Sequence, residues 1–364
     1  MYAYIYYPML LRKKAIGQSI NFQTYALQDD LPEVNIIIPV CNEEKVIEEK
    51  LNSIFETSYP KAKLQIFIGL DNCIDSTKEI LATKFSLPNI HLIEFSERHG
   101  KPSVLNHIVE HYITNDESIL IFTDANVLFS EGTIFELVKY FKDEQTGLVD
   151  SNIQAKKISN ANESDYWNYE TEIKTNESIV YSKILGPSGG CYAIRKKLFT
   201  PVPANFLVDD FFIGFNIIIQ QYNAILNTQA ICYEDINTNW RQEFKRKIRI
   251  ASGNFQNLWH FKKYALNCFS DIGYMFLAHK IIRWKTPFFL LILYYCLLLE
   301  FTLIVLIVTL FLPLIDVLLF TFGVEFKPLR RFHYFIVMNI AVLIGFIKFC
   351  KGVKTNVWQP TTRN

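Results

Sequence analysis

Two oxygen-bearing side chains two residues apart at the end of a strand can share one hard cation. Asp124-Ala-Asn126 has that form, directly after the run Ser118–Thr123. A cation held there could neutralise a diphosphate. A D-x-N step is common in ordinary turns, so its weight comes from its company. Lys101, in His-Gly-Lys-Pro, follows a flexible glycine at the start of a helix and could pair with a phosphate. Pro187-Ser-Gly-Gly-Cys191 exposes backbone at Gly189 and Gly190, so that a ligand could approach closely. Asp209-Asp210 is flanked by Phe206, Leu207 and Val208 on one side and Phe211, Phe212 and Ile213 on the other. Paired acids against so much apolar surface should include one with a raised pKa, suited to deprotonating an alcohol. Finally, Arg241, Lys245, Arg246, Lys247 and Arg249 form a basic run that could hold anionic lipid headgroups or a diphosphate leaving group.

The elements that must position these residues follow a regular alternation. Val34–Val40 is a β-branched run, followed by a helical pattern from Asn42 to Phe55 with acids in its first turn. Leu64–Leu70 is a second strand, and Asp71-Asn-Cys-Ile-Asp-Ser-Thr77 a polar loop opening a helix that reaches Phe85. Ile90–Phe95, a helix over Lys101–Tyr112 and the strand Ser118–Thr123 continue the series. Strands alternating with helices predict a doubly wound, mostly parallel sheet. Ligands of such sheets lie beyond the carboxyl ends of the strands, where Asn42, Glu43, Asp71 and Asp124 fall. Neither a G-x-G-x-x-G nor a Walker loop is present, which removes support for dehydrogenase and P-loop readings.

The chain has 364 residues, with 37 Lys+Arg against 36 Asp+Glu. That near balance argues against a nucleic-acid partner, which would call for a basic excess. Half of the residues are hydrophobic and a fifth charged, which excludes a disordered chain. The apolar residues are concentrated near the C-terminus. From Pro287 to Phe322 the only charges are Glu300 and Asp316, and a second apolar run starts at Phe332, with Lys348 and Lys351 at its end. A membrane span needs roughly 20 apolar residues, so the first run is long for one upright helix and short for two; Pro313 is the natural break. Arg12, Lys13 and Lys14 after the apolar N-terminus, and Lys280, Arg283 and Lys285 before the long run, favour the cytoplasmic side for the region between them. The seven cysteines are scattered, without a zinc spacing or a disulfide framework, as suits a reducing compartment. Three regions result: an apolar and basic membrane-proximal segment over 1–29, a catalytic domain over 30–270, and an interfacial and transmembrane region over 271–364 with apolar runs at 287–322 and 332–350.

Six motifs occur in a telling order: Ile37-Ile-Pro-Val-Cys-Asn-Glu-Glu44, Asp71-Asn-Cys-Ile-Asp-Ser-Thr77, Gly100-Lys-Pro-Ser-Val-Leu-Asn106, Phe122-Thr-Asp-Ala-Asn126, Ser188-Gly-Gly-Cys-Tyr-Ala-Ile-Arg195 and Val208-Asp-Asp210. In this the chain resembles the family 2 glycosyltransferases of the GT-A fold over roughly residues 30 to 260. The similarity is greatest to the membrane-bound branch that includes cellulose, hyaluronan and poly-N-acetylglucosamine synthases. The resemblance implies a GT-A, Rossmann-like α/β domain followed by C-terminal membrane helices. It also implies inverting transfer of a sugar from a nucleotide-diphosphate donor, with a UDP-sugar favoured, to a saccharide or lipid-linked acceptor, in cell-surface polysaccharide or glycolipid synthesis. Carried over residue by residue, Glu43 and Asp71 would hold the nucleoside, with Lys101 beside the phosphates. Asp124 and Asn126 would take the DxD-like position for a divalent cation (Mg2+ or Mn2+) and the diphosphate. Asp210 would deprotonate the acceptor, and Gly189, Gly190, Asp209, Arg246 and Arg249 would contact the acceptor or diphosphate.

Two departures bear on the activity. Asn126 replaces a second carboxylate and is a weaker metal ligand. Arg246-Lys-Ile-Arg-Ile250 stands where processive synthases carry Q-x-x-R-W, keeping Arg249 but neither Gln nor Trp, which favours transfer of a single sugar. A polyprenyl-phosphate sugar transferase, needing no base, and a catalytically inactive membrane scaffold are the competing expectations.

Overall fold

A computed structural model of the chain describes residues 1–156, 161–235, 240–322, 326–354 and 356. A short helix, α1 (Tyr7–Ala15), precedes an alternating series: β1 (Val34–Val40), α2 (Ile47–Phe55), β2 (Leu64–Asp71), α3 (Thr77–Lys84), β3 (Ile90–Phe95), α4 (Lys101–His111) and β4 (Ile119–Thr123). These four strands pair in parallel in the order β3-β2-β1-β4, with Val34 level with both Leu64 and Ile119. All seven residues of β1 are buried, as an interior parallel strand requires. Its alternation feeds two cores: Ile37 packs on one face of the sheet, Ile36 and Ile38 on the other. α2 starts later than the helical pattern after Asn42 implied. Asn42 takes a left-handed backbone (φ 55°), and its Oδ1 accepts the Ile74 amide at 2.9 Å, so the residues after it form a turn before the helix.

The second half of the sheet is mixed. β5 (Leu128–Phe129), α5 (Thr133–Val138), β6 (Thr146–Ala155), α6 (Ala161–Tyr181), β7 (Cys191–Arg195), α7 (Asp209–Ile219) and β8 (Asn223–Glu234) complete an eight-stranded order β3-β2-β1-β4-β7-β6-β8-β5. β7 runs antiparallel to both β4 and β6, whereas β6 and β8 are parallel. The β4–β7 register sets Thr123 opposite Cys191, so the loop leaving β4 meets the turn entering β7 at one sheet edge.

Five further α-helices follow: α8 (Trp240–His260), α9 (Lys262–Leu266), α10 (Asp271–Met275), the 40-residue α11 (Ile282–Thr321) and α12 (Lys327–Cys350). α11 and α12 form a hairpin, since Phe288 meets Phe346 edge to face near one end and His333 Nδ1 lies 2.6 Å from Asp316 near the other. The stretch Asp271–Leu319 and α12 are each long and apolar enough to cross a membrane, and the apolar surface of α11 from Phe289 onward is largely exposed. At the helical rise α11 is about 60 Å long, against roughly 30 Å of hydrocarbon in a bilayer. Its first turns, with Trp284 buried, are rooted in the α/β domain. The helix runs on through Pro313; its departure from helical backbone is at Phe301 (φ −133°, ψ 42°).

α12 packs back against the α/β domain by a close crossing with α8. A Cβ on Gly345 would lie 2.6 Å from Ala251 Cβ and 2.8 Å from the Ile248 carbonyl. Gly345→Leu should therefore force the two helices apart and cost about 1–3 kcal/mol of stability, visible as a lowered thermal midpoint. An unchanged midpoint would show that the crossing is not tightly packed.

Candidate active site

The C-terminal edge of β4 and the turn before β7 gather most of the side chains singled out from the sequence. Lys101 is the first residue of α4, and its N-cap Gly100 has φ 82°, a left-handed value that glycine adopts freely. Lys101 Nζ donates to Asp124 Oδ1 at 2.8 Å and to the Gly189 carbonyl at 3.4 Å, and lies 3.7 Å from Asp209 Oδ2. The Asp124 amide donates to the Gly190 carbonyl at 3.0 Å, which ties the D-x-N turn to the glycine pair. Asp210 fits against Gly189 so closely that a Cβ there would come within 2.7 Å of its Oδ2. Burial, then the adjacent Asp209 charge, push the Asp210 carboxyl up to about 6, with Lys101 opposing them. Burial by itself would lower the Lys101 pKa, but Asp124, Asp209 and Asp210 together raise it.

Asp209 is nearly buried, and its Oδ2 has no hydrogen-bond partner. Three carboxylates thus share one lysine, and the surplus negative charge suits a divalent cation. Glu234, at the end of β8, accepts from Asn126 Nδ2 at 3.1 Å. The oxygen groups of Asp124, Asn126 and Glu234 make a hard donor set of the kind Mg2+ or Mn2+ takes. Among the described residues no three His, Cys, Asp or Glu side chains are already gathered as a metal site.

Asp71 and Glu43 lie at the neighbouring strand ends. Asp71 is fully buried, and its carboxylate accepts the His99 amide at 2.7 Å, the Gly100 amide at 3.0 Å and Arg98 Nε at 3.3 Å. It therefore fixes the loop that delivers Lys101. Glu43 is half-buried in the turn before α2, and its amide donates to Thr77 Oγ1 at 2.9 Å. Arg249, on α8, donates weakly to the Leu207 carbonyl at 3.4 Å. Burial, then the charge of Arg246, lower its pKa, while the acids at 209, 124 and 210 act in the opposite direction. Arg246 lies 3.8 Å from Glu243 on the same helix.

The sequence reading missed the groups that hold the glycine turn and the loop before α7. Asp150 on β6 and Lys174 on α6 form a buried pair at 2.9 Å. Asp150 also accepts the Ser188 amide at 2.8 Å and its hydroxyl at 3.2 Å. Gln256 on α8 accepts the Leu207 amide at 3.1 Å and donates to the Asn205 carbonyl at 2.9 Å, while Asn257 donates to the Val208 carbonyl at 3.0 Å. The available signal was a single charge inside an otherwise apolar or neutral stretch, as at Asp150 after Gly147-Leu-Val149.

The chain matches the Glycosyl transferase family 2 over residues 35–201 and the Glycosyl transferase family group 2 over residues 154–347. It belongs to glycosyl transferase family group 2. The architecture is the GT-A α/β fold of these proteins, with two C-terminal helices apolar enough to span a membrane. The structure of the mannosyltransferase PcManGT from Pyrobaculum calidifontis, in complex with GDP-Man and Mn2+, superposes with a TM-score of 0.73 at 22% identity, covering 96% of this chain and 94% of that one. The probable glycosyltransferase YdaM of Bacillus subtilis is 23% identical over 247 residues, 62% of this chain and 56% of YdaM. The beta-monoglucosyldiacylglycerol synthase of a Nostoc species is 28% identical over 144 residues, 39% of this chain and 29% of that protein. The chain thus spans little more than half the length of YdaM and under a third of the Nostoc protein.

If the Asp150–Lys174 pair is what holds the Ser188–Gly190 turn, Asp150→Ala leaves a buried, uncompensated lysine. Stability should fall by about 3–5 kcal/mol, measured by chemical denaturation. A loss below about 1 kcal/mol would mean that the pair behaves like a surface ion pair.

Proposed function

We propose that the protein is an inverting glycosyltransferase that moves a sugar from a nucleotide-diphosphate donor to a hydroxyl of a saccharide or lipid-linked acceptor. The observation that carries this reading is the cluster of Lys101, Asp124, Asp209 and Asp210 around the Gly189–Gly190 turn, with one acid raised to about 6. In the proposed reaction the acceptor oxygen forms a bond to the anomeric carbon while the bond from that carbon to the diphosphate breaks. Asp210 takes the hydroxyl proton, and the nucleoside diphosphate leaves with the bonding electrons. Asp210 is poised for this, since a base is most effective when its pKa lies near the working pH. Lys101, at the N-terminus of α4, and Arg249 supply positive charge toward the leaving group. Glu43 and the loop fixed by Asp71 line the nucleoside side. Gly189 and Gly190 let the sugar approach the backbone, and Asp209 and Arg246 border the acceptor.

Asp124 and Asn126, with Glu234, would hold a divalent cation. When bound, it would offset the charge of the diphosphate. The PcManGT complex with GDP-Man and Mn2+ supports a nucleotide donor and a cation of this kind. A UDP-sugar remains our preferred donor. The two apolar helices support anchorage in a membrane, with the catalytic domain on the cytoplasmic side and the acceptor delivered at the bilayer surface. A role in cell-surface polysaccharide or glycolipid synthesis follows, within the membrane-bound branch of the family. The replacement of Q-x-x-R-W favours single transfer over processive synthesis.

The reading is tested with the full chain in detergent or nanodiscs, screened against nucleotide sugars with Mg2+ or Mn2+ for release of the nucleoside diphosphate. Asp210→Asn should lower kcat by about 100-fold or more and still bind the diphosphate. Asp124→Ala should lose both turnover and the diphosphate-induced rise in thermal midpoint. Asp210 works only when deprotonated and its pKa is raised. Activity should therefore be complete well above pH 6 and disappear as the pH falls through about 6. Full activity in Asp210→Asn would sink the base role and favour a polyprenyl-phosphate acceptor instead.

A further inference from the structure

Lys50 sits on α2 with its side chain wholly buried beside Val127 and Phe129 of the apolar core. Its Nζ donates to Thr123 Oγ1 at 2.9 Å and to the Val127 carbonyl, and it lies 3.7 Å from the centre of the Phe129 ring. These partners are a hydroxyl, a carbonyl and a ring; none is a carboxylate. Burying an ammonium group in such a setting is unfavourable, and its pKa is pushed down to about 8 by burial. An apolar side chain of the same length would pack there without that penalty.

The two hydrogen bonds fall on either side of Asp124, Ala125 and Asn126. Thr123 is the last residue of β4 and Val127 the first after the D-x-N step, so one ammonium group grips both ends of the turn from inside the domain. On the other side the Gly190 carbonyl holds the Asp124 amide. We infer that Lys50 is a positioning residue, whose two hydrogen bonds fix the Asp124–Asn126 turn so that both oxygen side chains face the donor diphosphate. The inference rests on the glycosyl-transfer reading of that site. Lys50 touches neither donor nor acceptor; it acts through the backbone on which Asp124 and Asn126 stand.

The experiment compares wild type, Lys50→Met and Thr123→Val as full chains, by thermal midpoint with and without UDP or GDP plus Mn2+, and by donor KM and kcat. Methionine fills the lysine's space and removes both the buried charge and its bonds. The unliganded midpoint of Lys50→Met should be equal to or above that of wild type, while diphosphate affinity falls by about 10- to 100-fold. Donor KM should rise in parallel. Thr123→Val removes one of the two bonds in a near-isosteric way and should weaken affinity on the order of threefold to tenfold, which keeps the test decisive if Lys50→Met does not fold. A merely structural lysine would do the opposite, lowering the midpoint and leaving the affinity of the folded protein intact. Wild-type affinity in both variants overturns this inference alone. A wild type that responds to no nucleoside diphosphate overturns the transfer reading and this inference with it.

Discussion

Three carboxylates around a single ammonium group repel one another, and the way this repulsion is contained organises the site. Lys101 reaches Asp124, Asp209 and the Gly189 carbonyl from the first residue of a helix, where the free amides add further positive potential. Burial, and after it the Asp209 charge that Lys101 only partly offsets, raise the Asp210 carboxyl. Within the proposed reaction that residual charge is useful twice. It favours a cation and a proton-accepting carboxylate in the same cleft, and both serve a diphosphate leaving group and an attacking hydroxyl.

The fold supplies the proximity that such a cluster needs. The antiparallel β4–β7 pair brings the D-x-N turn against the glycine turn, although 65 residues of chain separate Asp124 from Gly189. Asp150 and Lys174 then pin Ser188, Asp71 pins the loop before Lys101, and Gln256 and Asn257 pin the segment before Asp209. Each reactive side chain is therefore held by buried polar groups at its base. α8 carries the last of these and also crosses α12 at Gly345, so the apolar α11–α12 hairpin and the loop leading into Asp209 lean on the same helix. The root of the hairpin is tied in as well, because Arg283 and His279 engage Glu170 and Glu177 of α6, the helix that carries Lys174.

Much of this was legible in the chain itself. β1 to β4 are short β-branched runs bounded by turn residues, and they read correctly to within a residue at either end. The candidate site residues stood out because the ends of parallel strands are where polar residues otherwise have little reason to cluster. The mixed half of the sheet was not legible. β6 contains Asp150, Ser151 and Asn152 and two register shifts, and its partners are brought in by pairings distant in sequence. Lys50 reads as one more charge in an acidic, amphipathic helix, and only the packing reveals that it points inward. Glu234 is invisible for the same reason, since nothing local to a polar strand end marks it as a neighbour of Asn126. Pro313 misled in the other direction, because the long helix accommodates it and departs from helical geometry at Phe301.

Asp210 as the lone base of a single displacement makes one stereochemical demand, since attack from the face opposite the leaving group inverts the anomeric centre. The decisive measurement is the proton NMR H1–H2 coupling of the first-formed product, followed in real time against that of the donor sugar. The account requires the opposite anomeric configuration in the product. Retention of the donor's configuration would contradict it, because a one-step attack from the face opposite the leaving group must invert the centre.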